Sequence, residues 1–160
     1  MNILNIIKFP NEILKKKREN VKIVTTNILN KIYSMINTMY YFDGIGLAST
    51  QVNIKESIII INTTNEKKPL VIINPKIIKL SKTMIITKEG CLSFPNFFIN
   101  IKRSSNIYLS FKDSKNKVQY IIVDNLLSIC IQHEVDHING ITIYEKISKL
   151  KKNIFKKKQK

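Results

Sequence analysis

The chain has two histidines, and they stand four residues apart in the stretch Gln132-His133-Glu134-Val135-Asp136-His137. On an α-helix that spacing leaves the two side chains about 40° apart around the axis and about 6 Å apart along it. Both imidazoles then reach one metal ion from one face. Glu134 lies beside them, placed to handle a water on that metal without being a ligand. The pattern is the His-Glu-x-x-His of metal-dependent hydrolases. It demands a helix whose site-bearing face is covered by the rest of the chain.

The flanking sequence supplies that helix. Asp124 is an N-cap candidate, apolar residues recur from Asn125 onward, and Asn139-Gly140 is a C-terminal stop. A second helix is expected from Thr25 or Thr26 to about Tyr41. Its residues Ile28, Leu29, Ile32, Met35, Ile36 and Met39 fall on one face. Asp43-Gly44-Ile45-Gly46 breaks it, with two of the chain's four glycines allowing a tight turn or a close approach. Residues 1–24 read as an extended segment with one helical turn after Pro10, and Lys15-Lys16-Lys17-Arg18 as a solvated charged face.

From 57 to 123 the pattern is that of strands: 57–62, 70–73, 76–80, 83–88, 100–103, 107–112 and 118–123. Asn74-Pro75 requires an edge, bulge or bend, and Asp113-Ser114-Lys115-Asn116 is a hairpin turn. No long helix separates the strands, so the sheets are expected to be largely antiparallel. The fold class is therefore α+β: one domain of mostly antiparallel strands packed around a central metal-binding helix. A chain of 160 residues can bury roughly 70% of its unfolded surface. A metal is not needed merely to fold it, and a metal site points to function.

Catalytic sites of this kind use three protein ligands and keep one position open. No third histidine exists, and Ile143 stands where one group of His-Glu-x-x-His enzymes carries it. Cysteine, aspartate or glutamate remain. Of the two cysteines, Cys91 is the better placed. It lies in Glu89-Gly90-Cys91-Leu92-Ser93-Phe94-Pro95, where a bend can present a thiolate beside the Leu92 N–H. Cys130, three residues before His133, suits a pocket wall.

The net charge is +16, from 27 basic and 11 acidic residues. A polyanionic partner such as RNA would explain it. So would coding bias, because Ile, Asn and Lys are all abundant and only Arg18 and Arg103 are arginines. Two cysteines make no disulfide framework. The first ten residues lack the basic start and unbroken apolar run of a signal peptide, and no stretch approaches the roughly 18 apolar residues of a transmembrane helix.

Three stretches together carry a family resemblance. Gly44-Ile45-Gly46-Leu47-Ala48-Ser49-Thr50-Gln51, Glu89-Gly90-Cys91-Leu92-Ser93 and Gln132-His133-Glu134-Val135-Asp136-His137 resemble, in order and spacing, the signature motifs of bacterial peptide deformylases. The resemblance runs from about residue 3 to residue 150. It implies a catalytic domain over 1–147, followed by a lysine-rich tail over 148–160 that is helical or partly ordered, with Leu150, Ile154 and Phe155 as a narrow apolar stripe. It implies Cys91, His133 and His137 as metal ligands and Glu134 as general base and acid. Gln51 and the Leu92 N–H would form the oxyanion site. Gly46 would pair with the substrate backbone, and Ile45, Ile129 and Cys130 would wall the methionine pocket.

The implied reaction is removal of the formyl group from N-formylmethionyl nascent chains in the cytoplasm. The implied metal is iron(II), with zinc, nickel or cobalt as substitutes. The basic tail is a candidate ribosome contact, and neither membrane nor disulfide partner is expected. Two departures stand out. Ser49 replaces the second alanine of the first motif, and Phe98 stands where several relatives carry a polar or basic residue, which bears on preference beyond methionine. Without the resemblance, a small His-Glu-x-x-His metallopeptidase is the alternative.

Overall fold

The computed structural model describes residues 2–64 and 66–158. The first helix, α1, spans Thr26–Tyr41 and begins where the Thr25 hydroxyl accepts from Ile28 N. Its buried stripe is Ile28, Ile32, Met35, Thr38 and Met39. Thr38 is buried at no polar cost: its hydroxyl donates to Ser34 O and accepts from Leu4 N, tying down the N-terminal segment. The helical turn after Pro10 is a 3₁₀ turn, Glu12–Lys15.

Among the described residues seven strands follow: β1 Gly46–Ala48, β2 Ile58–Ile61, β3 Leu70–Leu80, β4 Met84–Cys91, β5 Phe94–Ser104, β6 Asn106–Lys112 and β7 Val118–Asp124. Five form one sheet in the order β1-β2-β3-β6-β7, and β4 and β5 pair separately. Every strand pairing is antiparallel. The helix α2, Asn125–Ile138, carries the histidines, and α3 spans Lys149–Lys158.

The isoleucine run of β2 shows how the layers form. Ile58 and Ile60 join the α1 stripe, with Val21, Leu47 and Ile73. Ile59 and Ile61 point the other way, into a cluster of Ile72, Ile107, Leu109, Phe111, Ile131 and Val135 that includes α2. The large sheet is thus sandwiched between α1 and α2, and all four isoleucines are buried. The small β4–β5 sheet closes over α2 with a third cluster of Phe94, Ile99, Ile101, Ile143, Ile147 and Phe155.

Several expectations need correction. The separate strands at 70–73 and 76–80 are one strand. Asn74 takes φ 52° and the register to β6 shifts between Ile73 and Lys76, so a bulge absorbs Pro75. Strand β1 was not anticipated, and β4 and β5 run further toward each other than the pattern suggested. Asp124 holds the N-cap position of α2, yet its side chain makes no capping bond. Arg18 is not part of a solvated face. It is 7% exposed, and its guanidinium donates to the carbonyls of Ile13, Lys16 and Ile54.

The tail also differs from a simple stripe. Leu150 is 71% exposed, whereas Phe155 is buried against Phe9, Phe94, Phe97 and Tyr144. The Ile154 side chain and residues 159–160 lie outside the described residues. No described helix is long and apolar enough to cross a membrane.

Candidate metal centre

Helix α2 packs against the large sheet through Cys130, Ile131 and Val135, which buries its His-Glu-x-x-His residues. His133, Glu134 and His137 are all buried, and the two imidazole centroids are 5.0 Å apart. The end of β4 brings Cys91 to them, with its Sγ 3.2 Å from His137 Nε2. The donor atoms of Cys91, His133 and His137 all lie within 4.8 Å of one another. Among the described residues they form the one group of three or more His, Cys, Asp and Glu side chains so arranged.

The donor set fits a divalent transition metal. One sulfur and two imidazole nitrogens make three ligands, which leaves a position for water. The hydrogen bonds agree. His133 Nδ1 is 2.8 Å from Glu89 Oε2, which leaves Nε2 as the donor atom toward the site. Glu134 Oε2 is buried with no hydrogen-bond partner among the described residues. A carboxylate oxygen in that position needs a water, a proton or a substrate group to satisfy it.

Two segments complete the site. A 3₁₀ turn, Ser49–Val52, follows β1 and places Gln51. The Gln51 Oε1 accepts from Ala48 N at 2.8 Å, so its amide is held and its Nε2 turns toward Ser93 Oγ and Cys91 Sγ, at 3.3 and 3.5 Å. Gly46 lies directly against the glutamate: a Cβ there would come within 2.5 Å of Glu134 Oε1. The expected tight turn belongs to Asp43, at φ 53°. Gly44 and Gly46 serve instead for close approach, to Leu92 and Glu134 respectively.

A pocket of about 470 Å³ opens in front of these groups. Ile45, Gly46, Gln51, Cys91, Leu92, Ile129, Cys130, His133 and Glu134 all line it, and His137 is not among the lining residues. The residues singled out in the sequence are therefore brought to one place. Phe98, expected to bear on preference beyond methionine, lines the same pocket, and so do Phe94 and Leu126, which were not foreseen as its walls.

The larger omission is the support beneath the ligands. Arg103 is 5% exposed, and its guanidinium forks onto both oxygens of Glu89, at 2.6 and 2.9 Å, and onto Asp136 Oδ2 at 2.7 Å. Lys146 reaches the other Asp136 oxygen at 3.1 Å. The signal was partly present: Glu89 and Asp136 sit inside the quoted motifs, and Arg103 is one of two arginines.

Burial and these charges set the ionisation of the site. Burial pushes the Glu134 carboxyl up to about 7, against the opposing pull of His133 and Arg103. Burial acts to lower His133, but its hydrogen bonds to Cys91 and Glu89 prevail and raise it. His137 is lowered by burial and by the neighbouring His133 charge. Burial drives the Cys130 thiol up to about 12.

A buried helix with two histidines and a glutamate, facing a cysteine and a glutamine from separate segments, has the donor set of a metallohydrolase centre: one sulfur and two imidazole nitrogens. The polypeptide deformylase family model matches residues 3–153. Peptide deformylase 1 of Pseudomonas syringae pv. tomato is 39% identical over 159 residues, covering 99% of this chain and 95% of that protein. The peptide deformylase of Thermodesulfovibrio yellowstonii is 39% identical over 161 residues, covering 99% and 97%. The crystal structure of the Ehrlichia chaffeensis peptide deformylase superposes with a TM-score of 0.92 at 32% identity, covering 99% of this chain and 98% of that one. That of the Synechococcus elongatus enzyme in complex with actinonin gives 0.91 at 35%, covering 97% and 85%. This chain belongs to the polypeptide deformylase family.

Proposed function

We propose that this chain removes the formyl group from the N-terminal formylmethionine of newly made polypeptides, releasing formate and a free amine. Cys91, His133 and His137 would hold one divalent metal, iron(II) by preference, with zinc, nickel or cobalt as substitutes. A metal in that position supplies Lewis acidity, which can bring the ionisation of water from 15.7 down to about 7.

The remaining chemistry belongs to the side chains. Glu134 takes a proton from the attacking water and passes it to the amine nitrogen as the formyl C–N bond breaks. The Gln51 amide and the Leu92 N–H donate to the oxygen that becomes negative in the transition state; one such donor is worth about 3 kcal/mol in comparable sites. Strand β1 ends the large sheet and, among the described residues, pairs with β2 alone. Its outer edge at Gly46 is free to add an extended peptide as a further strand. Ile45, Ile129 and Cys130 enclose the methionine side chain.

The observation that carries this reading is the Glu134 carboxylate, whose buried Oε2 has no hydrogen-bond partner among the described residues, with Oε1 against Gly46 and the histidine pair on its own helix. We place the enzyme in the cytoplasm, where nascent chains are made. We assign residues 1–147 to the catalytic domain and the lysine-rich residues 148–160 to ribosome contact. Formate release from a formyl-Met peptide by metal-loaded protein tests the reaction. Cleavage of internal peptide bonds without formate would instead make the chain a small metallopeptidase. Metal analysis of protein purified without oxygen tests the iron assignment.

A further inference from the structure

The deformylation chemistry leaves one half of the large sheet unused. Helix α1 covers the β1–β2–β3 half of one sheet face. Ile73, packed under α1, stands opposite Lys112, which places Tyr108, Ser110 and Lys112 of β6 on that same side. Cross-strand pairing then adds Val118, Tyr120 and Ile122 of β7. No described element covers Tyr120 or Ile122, which are 61% and 76% exposed. The Tyr108 and Tyr120 rings are neighbours tilted by 32°, with centroids 6.2 Å apart.

The charge around these rings is mainly positive. Lys76 and Lys79 of β3 lie opposite Ser110 and Tyr108 and are exposed. Neither is ion-paired among the described residues. Strands β3 and β6 contain no acidic residue, and β7 has only its terminal Asp124, which shares this face beyond Ile122 at the end of the strand. Asp113, in the β6–β7 turn, is held by Lys115 N, Lys117 N and Gln119 Nε2. Beside the tyrosines a shallow hollow is lined by Lys79, Leu80, Asn106, Tyr108 and Ile122.

A second copy of the chain is a poor occupant for this face, because lysines would meet lysines on molecules carrying +16 each. The complement of flat aromatic rings bordered by unpaired cations is a strand of unstacked bases on a phosphate backbone. We propose that this face binds single-stranded nucleic acid, with bases stacked on Tyr108 and Tyr120 and phosphates met by Lys76 and Lys79. Both arginines are buried, so the surface has no guanidinium fork for reading base edges. Recognition is by stacking and charge, and it tolerates sequence.

The test is fluorescence anisotropy of the full chain with a mixed-sequence 12-mer as single-stranded RNA, single-stranded DNA and duplex. Single strands bind more tightly than duplex, and the RNA and DNA arms identify the favoured sugar. The Y108A/Y120A double variant loses about tenfold or more in single-strand affinity and little for duplex, while Y108F/Y120F retains the affinity. K76Q/K79Q lowers the slope of log affinity against log salt by roughly 1.4. Removing residues 148–160 leaves the tyrosine dependence in place. Single-strand affinity equal in wild type and Y108A/Y120A overturns the proposal. So does self-association that Y108A/Y120A abolishes, since the face is then an interface between copies.

Discussion

Glu89 Oε2 lies 2.8 Å from Nδ1 of His133, while both Glu89 oxygens are held by the Arg103 guanidinium. A strand residue two positions before Cys91 thereby fixes the tautomer and ring orientation of a proposed ligand on α2. Substituting Glu89→Gln should weaken metal affinity by roughly 10- to 100-fold, measured by competition with a chelator. Glu89→Ala should cost stability as well, about 3–5 kcal/mol by urea unfolding, because it strands a buried guanidinium. Wild-type metal affinity in both variants would remove Glu89 from this role.

The same carboxyl makes the protein acid-sensitive. Burial alone would raise Glu89, but the Arg103 and His133 hydrogen bonds and charges prevail and lower it from 4.5 to about 2. A depressed carboxyl contributes stability that is present above the unfolded value and lost as pH falls through the folded one. The shift corresponds to about 3 kcal/mol. Unfolding free energy should therefore fall between about pH 4.5 and 2, and the Glu89→Gln variant should show a flatter profile over that window.

Glu134 behaves in the opposite sense. Burial raises it to about 7, so in metal-free protein its favourable contribution is present below the unfolded value and lost as pH rises toward 7. Glu134→Gln should abolish most of the formate release, by 10²-fold or more, while retaining metal. It should also remove this group's loss of stability between about pH 4.5 and 7. Wild-type turnover would rule Glu134 out as the proton carrier.

Gly46→Ala tests the close approach of β1 to α2. The new methyl would stand 2.5 Å from Glu134 Oε1, so the carboxylate must shift. A displacement of about 1 Å can cost on the order of 10² in rate. The expected outcome is a large fall in kcat with little change in melting temperature. Full activity would show that the carboxylate has room to move.

The two thiols should differ in reactivity. Cys130 is buried and its thiol is pushed up to about 12, so it stays protonated near neutrality. Alkylation of metal-free protein at pH 7.5, read by peptide mass mapping, should spare Cys130 and mark the half-buried Cys91. Rapid labelling of Cys130 would mean that α2 opens readily.

What the sequence disclosed and what it hid follow from range. The α1 stripe and the histidine helix were legible because their periodicity and caps are local. Cys91 followed from the missing third ligand. Strand β1 was not legible, since three residues carry no alternation and its partner, β2, begins ten residues further on. Asn74-Pro75 read as a break because the bulge that absorbs it is a property of the β3–β6 pairing. Arg18 looked like its lysine neighbours, and only its three carbonyl acceptors distinguish it. The Glu89–Arg103–Asp136 bridge joins β4, β5 and α2, and no local pattern announces such a contact.

The most direct test of the central claim is formate release from a formyl-Met peptide by anaerobically purified protein, with metal content measured on the same sample. Turnover with one metal per chain, lost on chelation and on Glu134→Gln, is the predicted result. Metal-loaded, folded protein that releases no formate, or a Glu134→Gln variant that releases it as fast as wild type, would contradict the account.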